Sequence, residues 1–278
     1  MSNFLKRDII HLNAAQTRMA ISGWGEEAFE NSIVEKICYL SDGLKVKGYL
    51  AYPADYKEKK FPCIIWNRGG YKNKGAIDHF TAKGIFGQIA SWGYVVFTSQ
   101  YRGNDGGEGT EEIGGADIND IINLKPLAGE IDFADPSGWG IIGWSRGGMM
   151  TLLTLLKDPD FKCAAVTGAI SNMQEYIAGN NYLADFYRKE LGEDKFQEEV
   201  IKRSIINSVN MLPRIPYLVM HGGNDETVPV SQSIELARRL QESDHLYRLV
   251  IFEEGDHYLK SHRKEVETLT RMWLKKFV

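Results

Sequence analysis

The chain has 278 residues, of which 43% are hydrophobic, 25% charged and 11% aromatic, and its 33 Lys+Arg against 37 Asp+Glu leave a formal net charge of −4. This is the composition of a globular chain with a packed core, and it lacks the concentrated positive field that nucleic-acid or anionic-membrane binding requires. The length fits one large α/β domain or two smaller ones.

The N-terminal stretch MSNFLKRDIIHLNAAQ breaks its apolar run with Lys6, Arg7, Asp8 and His11, so it has no continuous signal-peptide core. No later stretch approaches the roughly 20 uncharged apolar residues of a membrane span. Cys38, Cys63 and Cys163 lie in apolar, strand-like settings without CxxC spacing and read as buried reduced thiols. A cytoplasmic location is expected. Residues 1–30, with scattered apolar positions such as Phe4, Ile9, Met19 and Trp24, are expected to form an N-terminal helical extension, and residues 31–278 one α/β domain.

From 33 to 52 the runs IVEKICYL and LKVKGYLAYP flank Ser41-Asp42-Gly43, and Asp-Gly between alternating runs predicts an antiparallel hairpin. The pattern then changes to short continuous apolar runs: PCIIW (62–66), YVVFTS (94–99), WGIIGW (139–144), CAAVTG (163–168), PYLVMHG (216–222) and YRLVIFE (247–253). Runs without alternation suit strands buried on both faces of a parallel sheet. Helices are expected between them, at about 78–92, 114–128, 146–157, 231–242 and 259–277; in the fourth, Val230, Ile234, Leu236, Ala237 and Leu240 recur at helical spacing. The order ββ followed by repeated βα units predicts a three-layer α/β architecture with a mostly parallel sheet and right-handed crossovers. Residues 171–212 interrupt it with an insertion that reads as extra helices, and a connection of that length is usually either functional or wrongly assigned.

The string Gly143-Trp144-Ser145-Arg146-Gly147-Gly148 stands directly after a buried strand and before the helix MMTLLTLLK. G-x-S-x-G in that setting is a nucleophile elbow, which lifts the serine hydroxyl above the sheet at a helix N-terminus. A serine hydroxyl needs a base, and the base an orienting carboxylate. Asp225 follows a strand 80 residues after Ser145, and His257 follows the last strand 32 residues further on, in the order acid then histidine that this elbow calls for. Glu226, Asp256 and Glu175 are competing acids at neighbouring loops. His221 reads as a structural residue that holds the acid loop by hydrogen bonding, and His11, His79, His245 and His262 as surface or packing residues. The tetrahedral intermediate needs oxyanion donors, expected from the backbone N–H of Arg146 and from the loop Asn67-Arg68-Gly69-Gly70-Tyr71, with Gly70 and Tyr71 turning their amides inward.

Taken together, GWSRGG around Ser145, SQYRGNDGGEG (99–109), ADPSGWGIIGWS, HGGNDETVPVSQS and EEGDHYL resemble the catalytic domain of the prolyl oligopeptidase family within the α/β-hydrolase superfamily, over about residues 35–277. The resemblance implies an α/β-hydrolase fold with Ser145 as nucleophile, Asp225 as orienting acid and His257 as general base. It departs in placing Arg146 where family peptidases commonly have Tyr, and Arg68 where the oxyanion loop commonly has His or Tyr. The family's β-propeller gate has no counterpart in these residues, so no size filter for peptides is expected.

Two other classes compete. Gly138-Trp139-Gly140-Ile141-Ile142-Gly143 matches G-x-G-x-x-G with Asp158 20 residues on, but its glycines fall along a strand and not on the turn that opens a helix, which argues against a dinucleotide. No HExxH occurs, and His257 and His262 do not share a helical face. A non-catalytic binding protein on the same fold is opposed by the presence of all three triad residue types. The expectation is therefore acyl transfer without metal or cofactor; the triad alone does not choose between peptidase and carboxylesterase, and the family resemblance implies a peptidase acting on short peptide or aminoacyl bonds, with a carboxylesterase acting on small-molecule esters as the alternative. Neither nucleic acid nor membrane is expected as a partner, and a homo-oligomeric state is left open. Tyr176, Tyr182, Phe186 and Tyr187 of the insertion are candidates to line the acyl pocket as a lid, with Arg68 also a candidate substrate contact; the insertion's aromatics forming only its own small core is the competing reading.

Overall fold

The Asp-Gly turn closes a tight hairpin. Asp42 and Gly43 both adopt positive φ, at 51° and 82°, the pairing whose twist matches antiparallel strands, and strand Leu44–Pro53 pairs back on Ser32–Ser41 from Ser41↔Leu44 to Ser32↔Pro53. The computed structural model describes residues 2–57, 59–178 and 180–278. Met1 of the expected extension and Gly179 of the expected insertion lie outside the described residues. Two compact units make up the chain, Met1–Glu111, Ala116–Ile141 and Val278 in the first, Glu112–Gly115 and Ile142–Phe277 in the second.

The first unit contains β1 (Phe4–Ile9), α1 (Ala14–Trp24), α2 (Glu27–Glu30), β2 (Ser32–Ser41), β3 (Leu44–Pro53), β4 (Phe61–Asn67), α3 (His79–Ser91), β5 (Val95–Ser99), α4 (Ile118–Ile122), α5 (Lys125–Ala128) and most of β6 (Ala134–Trp144). Its strands order as β1-β2-β3-β5-β4-β6, antiparallel through β3–β5 and parallel at β4–β5. The expected helical extension is corrected here, because it opens with a strand. β1 is an edge strand exposed along nearly its whole length, tied to β2 by the Arg7–Glu35 ion pair at 2.6 Å; with neither face buried, its sequence carries no period to betray it. The helix expected over 114–128 is broken in two, with Pro126 in the first turn of α5, where its missing N–H costs nothing.

The second unit takes the end of β6, then α6 (Arg146–Lys157), β7 (Cys163–Thr167), α7 (Met173–Ile177), α8 (Asn181–Leu191), α9 (Phe196–Arg203), β8 (Tyr217–Gly222), α10 (Ser231–Glu242), β9 (Tyr247–Phe252) and α11 (Arg263–Phe277). Strand order is β6-β7-β8-β9, with β7–β8 and β8–β9 parallel. β7 and β8 are buried along their whole length, as their unalternating apolar runs require, and the edge strand β9 is not. On α10, Leu236, Ala237 and Leu240 are buried as expected, whereas Ile234 is 51% exposed. The insertion consists of α7–α9 and short 3-10 turns. Arg203 at the end of α9 holds it to residues 112–115, donating to the Ile113 and Glu112 carbonyls at 2.6 and 2.9 Å. Among the described residues, no helix is long and apolar enough to cross a membrane.

Polar burial in the first unit concentrates on Asp120, which is fully buried. Its carboxylate accepts from the Arg102 backbone at 2.7 Å, from the Arg102 guanidinium at 2.8 Å and from Ser41 Oγ at 2.6 Å, while the Tyr39 hydroxyl donates to its carbonyl at 2.6 Å. Removing the carboxylate would leave the Arg102 guanidinium with only the more exposed Asp42 as a partner, at 2.8 Å, and would strip the Arg102 N–H and Ser41 Oγ of their buried acceptor. Asp120→Ala is therefore expected to destabilise the fold by about 3–5 kcal/mol, measured as a lowered urea midpoint; a loss under about 1 kcal/mol would contradict the account.

Candidate active site

β6 delivers Trp144 and Ser145 at its end, and α6 begins one residue later. Ser145 takes φ 57° and ψ −126°, a region an L-residue occupies only when its surroundings impose it. Those surroundings are visible. The Ser145 N–H donates to the Thr167 carbonyl of β7 at 2.8 Å, and the Ser145 carbonyl accepts from Gly148 N at 2.9 Å. The strand and helix meet so closely that a Cβ on Gly143 would lie 2.1 Å from the Gly147 carbonyl oxygen, which is why glycine flanks the serine at this spacing.

Three loops of the second unit converge on this hydroxyl. Ser145 Oγ stands 3.0 Å from His257 Nε2, and His257 Nδ1 stands 2.7 Å from Asp225 Oδ2. Facing a carboxylate, Nδ1 carries the proton, which leaves Nε2 to accept from the serine. Asp225 follows β8, and its Oδ1 accepts from the backbone of Thr227 and Val228 at 2.9 and 2.8 Å. Its Oδ2 also lies 3.2 Å from His221 Nε2. His221 Nε2 donates to the Val228 carbonyl at 2.9 Å while Nδ1 accepts from Ser233 Oγ at 2.6 Å. Burial acts to raise the Asp225 pKa, but the hydrogen bonds from His221, His257 and the Val228 N–H overcome it and hold the carboxyl well below the usual carboxylate range. The competing acids are elsewhere engaged: Glu226 is exposed, Asp256 Oδ1 accepts from Lys260 N at 3.2 Å, and Glu175 bonds Ser231 and Gln232.

Arg146 opens α6 with a buried side chain. Its guanidinium and that of Arg203 act against a rise in the Tyr187 hydroxyl pKa driven first by burial and then by Tyr176. Of the insertion's aromatics, Tyr176 and Phe186 each make edge contacts with Tyr187, at centroid distances of 6.4 and 5.1 Å. Tyr176 also feels the Asp225 charge, which adds to burial in raising its pKa. Tyr182, on the first turn of α8, is 76% exposed, whereas Tyr187 of the same helix is buried.

Gly70 and Tyr71 lie in the first unit, on a loop between β4 and α3 where Gly70 adopts φ 67°. Arg68 of the same loop is corrected as a substrate contact, because its side chain is fully buried. Its guanidinium donates to the Gln100 carbonyl at 2.8 and 3.1 Å, to the Gly69 carbonyl at 3.2 Å and to Glu111 at 3.2 Å, and it lies 4.8 Å over the Tyr101 ring. Glu111 in turn accepts from the Lys72 N–H at 2.8 Å. Arg68 is thus a scaffold for the loop; a charged residue beside paired glycines gives no sign in sequence of whether it points in or out. One contact of the triad escaped sequence reasoning: the Trp144 indole N–H donates to the His257 carbonyl at 3.1 Å. Trp144 fills a variable position of the elbow pattern, so spacing alone could not mark it. The G-x-G-x-x-G glycines lie along β6, and the turn that follows belongs to Trp144 and Ser145.

Residues 82–277 match the prolyl oligopeptidase family. The uncharacterized peptidase YtmA of Bacillus subtilis is 32% identical over 244 residues, covering 86% of this chain and 92% of its own length. YuxL, an uncharacterized peptidase of the same organism, is 29% identical over 82% of this chain and 36% of its own. Among solved structures, an acylaminoacyl peptidase of Pyrococcus horikoshii superposes with TM-score 0.76 at 21% identity, over 92% of this chain and 44% of its own. Dipeptidyl peptidase 4 of Porphyromonas gingivalis does so with TM-score 0.73 at 18% identity, over 96% and 37%. The chain thus spans nearly all of YtmA but less than half of YuxL and of these solved chains. At such identities the structural likeness establishes the fold, an α/β-hydrolase fold with a mostly parallel sheet and an antiparallel N-terminal hairpin. The matched residues and the near end-to-end similarity to YtmA place the chain in the prolyl oligopeptidase family.

Proposed function

We propose that the chain is a serine peptidase that cleaves short peptide or aminoacyl bonds through an acyl-enzyme on Ser145. The observation that carries this reading is the unbroken hydrogen-bond line from Ser145 Oγ through both ring nitrogens of His257 to Asp225. His257 Nε2 takes the serine proton as Oγ attacks the acyl carbonyl, and Asp225 stabilises the imidazolium that results. The Arg146 N–H, at the start of α6, donates to the developing oxyanion. The proton on Nε2 then passes to the departing amine, and water repeats the sequence to release the acid. Tyr176, half-buried and near enough to Asp225 to feel its charge, is the insertion's candidate wall for the acyl group, with the buried Tyr187 packed behind it. Support for amide over ester comes from the family and from the names its relatives carry, which describe peptidases.

A fluorophosphonate probe is expected to label the wild type at Ser145 and to leave Ser145→Ala unlabelled, and a panel of chromogenic esters and of free and blocked aminoacyl and prolyl amides is expected to show amide turnover lost in that variant. Labelling of Ser145→Ala would sink the assignment; ester turnover without amide turnover would make the enzyme a carboxylesterase.

Asp225→Asn is expected to lower kcat on the order of 10⁴-fold, because the imidazole is freed to take the wrong tautomer. The same carboxylate makes stability depend on pH. Its folded-state pKa lies below the unfolded value of about 3.9, so its stabilisation is complete above that value and fades as pH falls towards the folded one. The gap in Tm between wild type and Asp225→Asn should shrink progressively below about pH 4; a gap unchanged down to pH 2 would contradict the assignment.

A further inference from the structure

Two consecutive residues grip His257 from both ends. Ser145 Oγ meets its ring at Nε2, 3.0 Å away, and the Trp144 indole N–H meets its main-chain carbonyl at 3.1 Å. Trp144 is the last residue of β6 and Ser145 its covalent neighbour. The two bonds therefore close a ring that runs from the nucleophile through the imidazole to the backbone of residue 257, then through the indole back to the nucleophile across one peptide bond.

The base loop is anchored on either side of this point. Gly255 N–H donates to the Phe252 carbonyl at 3.2 Å, and the Gly255 carbonyl accepts from Asn224 at 3.0 Å. Beyond the histidine, Leu259 N–H donates to Asp256 at 3.0 Å, and the Leu259 side chain is buried. These bonds fix the chain before and after His257, and the bond to its own carbonyl comes from Trp144.

We propose that Trp144 is a positioning residue for the general base: its indole N–H sets the height of the His257 backbone, so that Nε2 keeps its reach to Ser145 Oγ through acylation and deacylation. The inference rests on the reading of His257 as base. Indole suits the task because it is a donor only and does not titrate. The tether therefore has the same sense whether the imidazole is neutral or protonated, which a hydroxyl or a second histidine at this position could not guarantee. A ring that must pass one proton from serine to leaving group and another from water to serine gains from a backbone that does not shift between the steps, since small misplacements of a catalytic group are costly in rate.

Trp144→Phe removes the N–H and keeps an aromatic ring. It is expected to lower kcat about tenfold with KM held within about twofold, because the loss falls on the chemical step. Fluorophosphonate labelling of Ser145 should slow in proportion, and the Tm should move little. The deciding measurement is the cycle with His257→Ala: residues that act through one another are non-additive, so Trp144→Phe should reduce the residual rate of His257→Ala no further. Wild-type kcat in Trp144→Phe, or a loss that persists undiminished in the His257→Ala background, overturns the inference while leaving His257 as base. A His257→Ala variant with the wild-type rate removes the base reading and this inference together. If Trp144→Phe does not fold by circular dichroism, the same cycle is run with Trp144→Leu, which also lacks a side-chain donor, and is read by the same outcomes.

Discussion

Ser145 is held at φ 57° against the preference of any L-residue, and the chemistry of the second unit depends on that constraint. A conformation of this kind costs on the order of 1–3 kcal/mol and persists only where the surroundings over-determine it. Here they do so three times over: the serine N–H is claimed by β7, its carbonyl by the first turn of α6, and Gly143 and Gly147 pass too closely for any side chain. α6 adds weight, since it is buried from Arg146 through Leu155 and cannot rotate away to relax the turn without opening the core. The strained residue is the one proposed as nucleophile, so rigid packing around the turn keeps its Oγ on a fixed vector.

A second consequence concerns charge. Asp225 has a side chain only 1% exposed, where an unaided carboxylate would be driven to protonate. Two backbone N–H groups, His257 and His221 together keep it ionised. His221 is the less obvious of these. It is fully buried, pinned by Ser233 and Val228, and it lends the acid loop a donor without competing for the serine. The sequence position of His221, at the end of a strand beside the acid, was enough to read it as a structural histidine; its direct approach to Asp225 Oδ2 needed coordinates.

Much of the rest follows the same division between what periodicity and spacing record and what they do not. The buried runs at β7 and β8, the hairpin turn at Asp42-Gly43 and the elbow are legible because each imposes a rule on residue type: apolar throughout, Asp-Gly, and glycine on both sides of a serine. β1 was not, because an edge strand exposed on both faces obeys no such rule and is set by its pairing with β2. Tyr182 and Tyr187 look alike in sequence, yet they sit on different faces of α8, one exposed and one buried. Arg68 misled for a related reason. A long cation near a catalytic motif suggests a ligand, but stacked over Tyr101 and paired with Glu111 it serves the loop.

Three buried carboxylates show what sets the proposed site apart from its structural counterparts. Glu111 accepts from a loop N–H and from Arg68, Asp120 from a loop N–H and from Arg102, and Asp225 from two loop N–H groups and from His257. In each case a carboxylate organises a turn by taking at least one backbone donor together with side-chain donors, Ser41 joining Arg102 at Asp120 and His221 joining His257 at Asp225. The difference lies in the Arg68, Arg102 and His257 side chains. Arginine has only N–H groups and cannot lose a proton in this range, so Arg68 and Arg102 donate on to further acceptors but relay no proton. Histidine donates from one nitrogen and accepts at the other, so at Asp225 the line continues to whatever acidic proton lies beyond. Beyond it lies the hydroxyl of Ser145. The same loop-organising motif becomes a proton path where the cation is an imidazole and a strained turn presents a nucleophile to its free nitrogen.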